Sequence, residues 1–214
     1  MTYLELVNDV LARLREPSVT SVTQTAYSTL IGKYINDTKR QVEDAWNWDA
    51  LDTVLTVTTS AGTSLYTVTG SGTRHKAIRV NDATNRGTLC NVPFRWIQDQ
   101  QQLSTVQNGA PVNYAWSGTD GTDSKVTLFP TPDSTYTIYF NLIVPQAALS
   151  AAGDVLLVPS EPVILGAYAR AIVERGEDGG LNSSEAYALY KSSLADHIAL
   201  ESSRQNENDC WMAV

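Results

Sequence analysis

Residues 42–58 read VEDAWNWDALDTVLTVT, and the period of the chain changes inside them. Up to Trp48 the apolar and charged positions follow the spacing of about 3.6 residues that marks a helix. From Val54 the spacing is two: Val54, Thr56 and Thr58 interleave with Leu55, Val57 and Thr59, as in a strand. The fold is read outward from this switch in both directions.

On its N-terminal side the pattern predicts a helix from about Thr25 to Trp48. Its buried face comprises Tyr27, Leu30, Ile31, Tyr34, Thr38, Val42, Ala45 and Trp46, and Lys33, Lys39, Arg40, Glu43 and Asp44 take the opposite, solvated side. Gly32 costs this helix about 1 kcal/mol relative to alanine, a loss that packing can offset. Before it, Thr2 and Glu5 form a capping box, in which each side chain satisfies a backbone N–H of the first turn. Tyr3, Leu6, Val7, Val10, Leu11 and Leu14 then fall on one stripe, and Glu16-Pro17 ends the first helix.

On the C-terminal side β-rich runs succeed one another: SLYTVTG, KAIRV, VNYAWSG, KVTLFP and TYTIYFNLIV. The clusters SAGT, TGSGT, NGAP and GTDGTD between them are turn chemistry. PFRWIQDQQQL reads as one short helix within this region. Short strands with no alternating helices point to antiparallel sheets packed as a sandwich or small barrel.

From Ser160 the helical period returns. Ser160-Glu161-Pro162 supplies a cap, an acid for the positive helix end and a proline in the first turn, and Val163, Ile164, Ala167, Tyr168, Ala171 and Ile172 form the apolar face. Gly176 to Gly180 makes a turn, Asn182 and Glu185 a second box-like start, and Tyr187, Tyr190, Leu194 and Ile198 carry a last helix to about Arg204. The expected class is α+β: a four-helix bundle from the N- and C-terminal segments with an inserted antiparallel β domain. The boundaries read are 1–50 and 159–204 for the two halves of the bundle, 51–158 for the insertion and 205–214 for an extended tail.

A chain of 214 residues, 43% hydrophobic and 18% charged, has the balance of a globular protein and buries a sizeable core. Its net charge of −8 lacks the basic stripe of a nucleic-acid reader, so specific nucleic-acid binding is not expected. No run approaches the roughly 18 apolar residues of a membrane span. The opening MTYLELVNDV carries acids where a secretory signal carries positive charge, which implies a cytoplasm-like compartment. Cys90 and Cys210 fit no metal or redox spacing and read as free thiols.

Catalytic constellations are not evident. His75 lies in the polar run GTRHKA, and His197 follows Asp196 on a helix, where neighbours do not face each other. TGSGTRH and SGTDGTDS lack the glycine spacings of phosphate loops, and GTDGTDS lacks the ligand alternation of a calcium loop. No cofactor or metal is expected, nor an enzyme. Trp46 and Trp48 are assigned to packing at the junction of bundle and β domain. Trp96 and Trp116 are the residues on which a rival reading rests, a carbohydrate-binding sandwich with both rings lining one groove.

The polar run QNENDC ahead of Trp211, Met212 and Val214 is read as a strap with an apolar anchor. Tryptophan and methionine are enriched at protein interfaces, so these three are the candidate docking residues on a partner or a neighbouring copy. Lys39, Arg40, Glu43, Asp44 and Lys191 are candidate charge contacts between copies.

LVNDVLARLREPSV, INDTKRQVEDAWNW running into the β region, and VPSEPVILGAYARAIVERGEDGG together resemble the head-to-tail adaptor proteins of tailed bacteriophages, the group that includes the tail tubular protein A of T7-like phages. The resemblance implies a virion protein at the neck between capsid and tail, assembled in the host cytoplasm. It implies a ring, commonly of about twelve subunits, beneath the portal protein, with DNA passing through its lumen. A nozzle, stopper or tail tube would follow as the downstream tail protein, and the C-terminal segment would extend onto the portal. A stopper or another neck protein is the near competitor, and the helical frame separates an adaptor from those mostly β proteins. A large β insertion is where this chain departs from the pattern.

Overall fold

The computed structural model describes residues 1–103, 105, 107–176 and 181–204. Among these it is α+β, with five helices and eight strands: α1 (Tyr3–Arg13), α2 (Ala26–Ala45), β1 (Asp52–Thr58), β2 (Leu65–Thr67), β3 (Lys76–Asp82), β4 (Gly87–Thr88), β5 (Cys90–Asn91), α3 (Phe94–Leu103), β6 (Asn113–Thr119), β7 (Ser124–Phe129), β8 (Thr137–Ile143), α4 (Ser160–Arg175) and α5 (Leu181–Ser202). The chain divides into two compact units, one of Met1–Ala50 with Gln146–Val214, the other of Leu51–Pro145.

In the helical unit α1 starts where its capping box places it. Thr2 Oγ1 accepts from Glu5 N at 3.4 Å and Glu5 Oε2 accepts from Thr2 N at 2.8 Å. Thr25 caps α2 in the same way, with Ser28 as the returning partner. The α2 stripe is rotated from the one read in sequence: Ser28, Ile31, Gly32, Ile35, Thr38, Lys39, Val42 and Glu43 are buried, whereas Tyr27, Leu30 and Tyr34 are half-buried and Ala45 is exposed. Helix α4 carries no single stripe. Pro162, Val163, Ile164, Gly166, Ala167, Ala169 and Ala171 are all buried, because α1, α2 and α5 all pack on it. Small residues permit that close approach: a Cβ on Gly166 would collide with the Thr38 methyl group and crowd the Tyr190 ring. Pro159, with no side-chain bond, occupies the N-cap position of α4 in place of Ser160, and Gly176 ends the helix with φ 64°, its N–H returning to Ile172 O. Helix α5 begins at Leu181, one residue ahead of the Asn182 expected to cap it.

Residues 146–158, read in sequence as part of the β insertion, cluster with the helices. Their backbone pairs with the start of α1: Tyr3 N donates to Asp154 O at 2.8 Å, Leu4 N to Ala152 O at 3.1 Å and Leu156 N to Met1 O at 3.0 Å.

The β unit holds two four-stranded sheets, ordered β1-β8-β3-β4 and β2-β7-β6-β5. Every pair is antiparallel except β5 with β6. One apolar core draws on both sheets: Val57, Val80, Ile138, Phe140 and Leu142 from the first, Tyr114, Val126 and Leu128 from the second. Alternation along β8 explains the choice, since Ile138, Phe140 and Leu142 point inward while Tyr139 between them is exposed. Helix α3 covers the other face of the second sheet, where Ile97, Ala115 and Phe129 form a smaller core. The acids of GTDGTDS hold turns. Asp120 Oδ1 accepts from Thr122 and Asp123 N–H, and Asp123 Oδ1 accepts from Gly70 and Gly72 N–H, both glycines at positive φ.

Candidate interaction site

Three polar residues of α2, Asn36, Lys39 and Glu43, share one helical face and bind backbone. Asn36 Oδ1 accepts from Leu149 N at 2.8 Å while its Nδ2 donates to Leu149 O at 3.0 Å. Lys39 Nζ donates to Gln146 O at 2.6 Å, and Glu43 Oε1 accepts from Gln146 N at 3.1 Å. Lys39 and Glu43 also pair with each other at 2.8 Å, their side chains only 3% and 1% exposed. Two charges withdrawn from water are tolerable only when paired and otherwise hydrogen-bonded, and Gln146 supplies what remains. The Gln146 side chain continues the link by donating to Val155 O at 2.7 Å. The expectation that Lys39 and Glu43 lie on a solvated face and pair between copies is therefore corrected: residues 146–149 cover them.

At the other end of α2, Arg175 of α4 gathers the α1–α2 connection. It donates to Tyr27 Oη at 2.8 Å and to Leu14 O at 3.3 Å, pairs with Glu16, and lies 4.9 Å over the Tyr27 ring. The hydrogen bond it donates to Tyr27 Oη and the Glu16 carboxylate raise the Arg175 pKa.

A groove of about 750 Å³ opens between α2, α4 and α5. Tyr34, Ala169, Val173, Tyr187 and Tyr190 wall it, with Arg170 and Glu174 also in its lining. Burial raises the Tyr190 pKa, as it does that of Tyr34, where the Glu174 carboxylate adds to the effect. Lys191 stands 5.4 Å from the Tyr187 ring centre and 5.5 Å from that of Tyr190. The sequence pattern missed this groove because it assigned Tyr34 and Tyr187 to closed apolar faces. Tyr187 is 52% exposed and Val173 64%.

Of the other residues singled out, Arg40 and Asp44 are exposed on α2 and Lys191 is exposed on α5. Trp48 is buried within the helical unit, its indole N–H donating to Val42 O at 2.7 Å. Trp46 is half-buried. Trp211, Met212 and Val214 lie outside the described residues. Trp96 and Trp116 lie on opposite faces of the second sheet. Trp116 packs on Tyr114 and Phe140 in the main core, and Trp96 stands edge-on to Phe129 at 5.3 Å in the smaller one. They cannot line one groove, which removes the basis of the carbohydrate-binding reading.

His197 Nδ1 lies 2.7 Å from Ser193 O, one turn back on its own helix. Among the described residues no group of three or more His, Cys, Asp or Glu side chains is arranged to hold a metal ion. No helix among them is long and apolar enough to cross a membrane.

A family model described as SU10 adaptor protein matches residues 1–212. No curated protein matches the chain. The family match supports the phage head-to-tail adaptor resemblance read in the sequence, without singling out the tail tubular protein A type. The chain belongs to the SU10 adaptor protein family.

Proposed function

We propose that this chain is a structural protein of a phage virion, a head-to-tail adaptor that forms a ring below the portal and joins capsid to tail. The observation that carries this reading is the family match across residues 1–212. Charge supports it: a protein of net charge −8 repels the phosphate backbone, which suits a lumen that must pass DNA without gripping it. On this reading α1, α2, α4 and α5 act as a four-helix bundle, and the β unit is a sandwich. About twelve copies close the ring through head-to-tail contacts. The product of the protein is a shape and not a reaction. Its partners are the portal protein above, a nozzle, stopper or tail tube below, and further copies of itself, assembled in the host cytoplasm.

A phage lacking this chain tests the reading. Heads and tails should accumulate unjoined, the heads should lose packaged DNA, and supplying the chain in trans should restore infectivity. Joined, infectious particles formed in its absence would refute it.

A further inference from the structure

Four strands end the two sheets: β1 and β4 in the first, β2 and β5 in the second. Three of these edges are blunted in the ways that keep sheets from pairing with other chains. β4 and β5 have two residues each, and β2 has three. Where β3 runs on beyond β4 it carries Lys76 and the exposed Arg79, and its register breaks between Ala77 and Arg79. β1 has none of these devices. Its seven residues, DTVLTVT, pair with β8 from Asp52↔Ile143 to Thr58↔Thr137 without a shift, and they include no Lys, Pro or Gly. Among the described residues no strand pairs with its other side.

The bonds at either end of β1 decide which groups that open side presents. Thr59 N donates to Tyr136 O and Val144 N donates to Leu51 O, so the odd-numbered residues bond toward β8. Asp52, Val54, Thr56 and Thr58 therefore turn their N–H and C=O groups outward. All four are exposed. Leu55, on the inward face between them, packs against the main core and is only half-buried there.

An edge of this kind takes another open strand, held by main-chain hydrogen bonds. We propose that it takes β1 of a second copy, antiparallel and centred on Leu55. β1 is the long open strand that every copy supplies, and its sequence is compatible with itself. Leu55 is the middle residue of the strand, so every position finds a partner. Asp52 faces Thr58 of the second copy and Val54 faces Thr56, which sets β-branched side chains together and places no like charges opposite each other. These are the residues whose N–H and C=O groups point outward, the parity that an antiparallel pair requires. On the inward side Leu55 meets its own counterpart, which covers the side chain that a single copy leaves half-buried. The joined sheet has twice the four strands of one copy and ends on the two-residue β4 at both sides, so the pair is closed and does not grow into a fibre. A two-fold pair is a different contact from the one between neighbours in a ring. The inference goes beyond the ring reading and describes the chain before it stands on a portal.

Light scattering on the full-length chain without portal, read during size exclusion, tests the inference. The expected mass is twice the 23.3 kDa of one copy. Thr56→Pro removes an outward N–H and leaves the bonds to β8, and Val54→Lys supplies the edge lysine that β1 lacks. Each should weaken the pair about tenfold or more, while circular dichroism verifies that the variants fold. With Cys90 and Cys210 replaced by serine, Leu55→Cys should give a reducible covalent dimer on mild oxidation, since side chains directly opposite in a non-hydrogen-bonded pair stand close enough for a disulfide. Thr58→Cys, which faces position 52, should not. A monomeric chain, a dimer indifferent to both folded edge variants, or cross-linking through position 58 in place of 55 would overturn the inference. A monomer that still forms a ring on the portal would retire this pairing alone. A two-fold pair whose portals stay bare would retire the ring reading alone.

Discussion

Lys39 Nζ lies 2.8 Å from Glu43 Oε1, one turn apart on α2, and both groups close on the backbone of Gln146. A pair so deeply buried depends on both members. Lys39→Met leaves the Glu43 carboxylate without its counter-ion, and the expected loss is about 3–5 kcal/mol. Lys39→Met combined with Glu43→Leu should recover most of it, since burying two apolar side chains leaves no isolated charge. Urea denaturation of the three proteins checks this. A single variant as stable as the double would mean that the pair is solvated.

At Gly166, α4 packs against Thr38 of α2 and Tyr190 of α5. Gly166→Ala should cost about 1–3 kcal/mol through overpacking against Thr38 and Tyr190. Gly153, with nothing near the position of a Cβ, is the control. Gly153→Ala should be neutral or stabilise by about 0.4–1 kcal/mol. Thermal melts of both variants decide, and equal melting temperatures would contradict the packing described.

The His75 ring lies 4.2 Å from that of Trp116, tilted by 51°, and burial lowers its pKa even though hydrogen bonds to the backbone of Gly72 and Ser71 oppose the shift. The unfolded chain therefore takes up this proton first, beginning near the ordinary histidine value of about 6.5. Stability should fall as pH drops from about 7 through that value toward the lowered one, and His75→Gln should flatten the decline. The carboxylates of Asp120 and Asp154, held low by backbone N–H donors, lose their contribution only at more acid pH and do not mask the effect. Denaturation midpoints across this range give the answer, and identical pH profiles for wild type and variant would rule it out.

The two tryptophans of the β unit should behave differently. Trp116 is partly buried and packs against the main core, on Tyr114 and Phe140, so Trp116→Ala should destabilise by about 3 kcal/mol. Trp96 is 38% exposed and only caps Phe129, and Trp96→Ala should cost about 1 kcal/mol. Guanidinium melts followed by circular dichroism measure both losses. Comparable small losses would place Trp116 at the surface.

Much of this architecture was legible because local chemistry fixed it. Thr2 with Glu5 caps α1 by hydrogen bonds made within three residues, and the change of period after Trp48 marks the passage to strands. Residues 146–158 were not legible. QAALSAAGDVLLV has no period, and its path follows backbone bonds to Asn36, Lys39 and Glu43, side chains that look the same in sequence on a solvated face. Helix α4 hid its environment for the opposite reason, since a helix packed on three neighbours is apolar on several sides at once. Strands β4 and β5, two residues each, are too short to carry an alternation. The groove is tertiary in origin. Tyr34 and Tyr187 look like core residues from spacing alone, and only the packing of three helices leaves space between them.

The central claim is that copies of this chain stack as a ring on a portal. Electron microscopy of the purified chain mixed with its portal tests it most directly. The expected result is a closed ring of adaptor density coaxial with the portal channel, one copy bridging each portal subunit or pair. Portals that remain bare at saturating concentrations of the chain, or that bind it as single off-axis copies, would contradict the account.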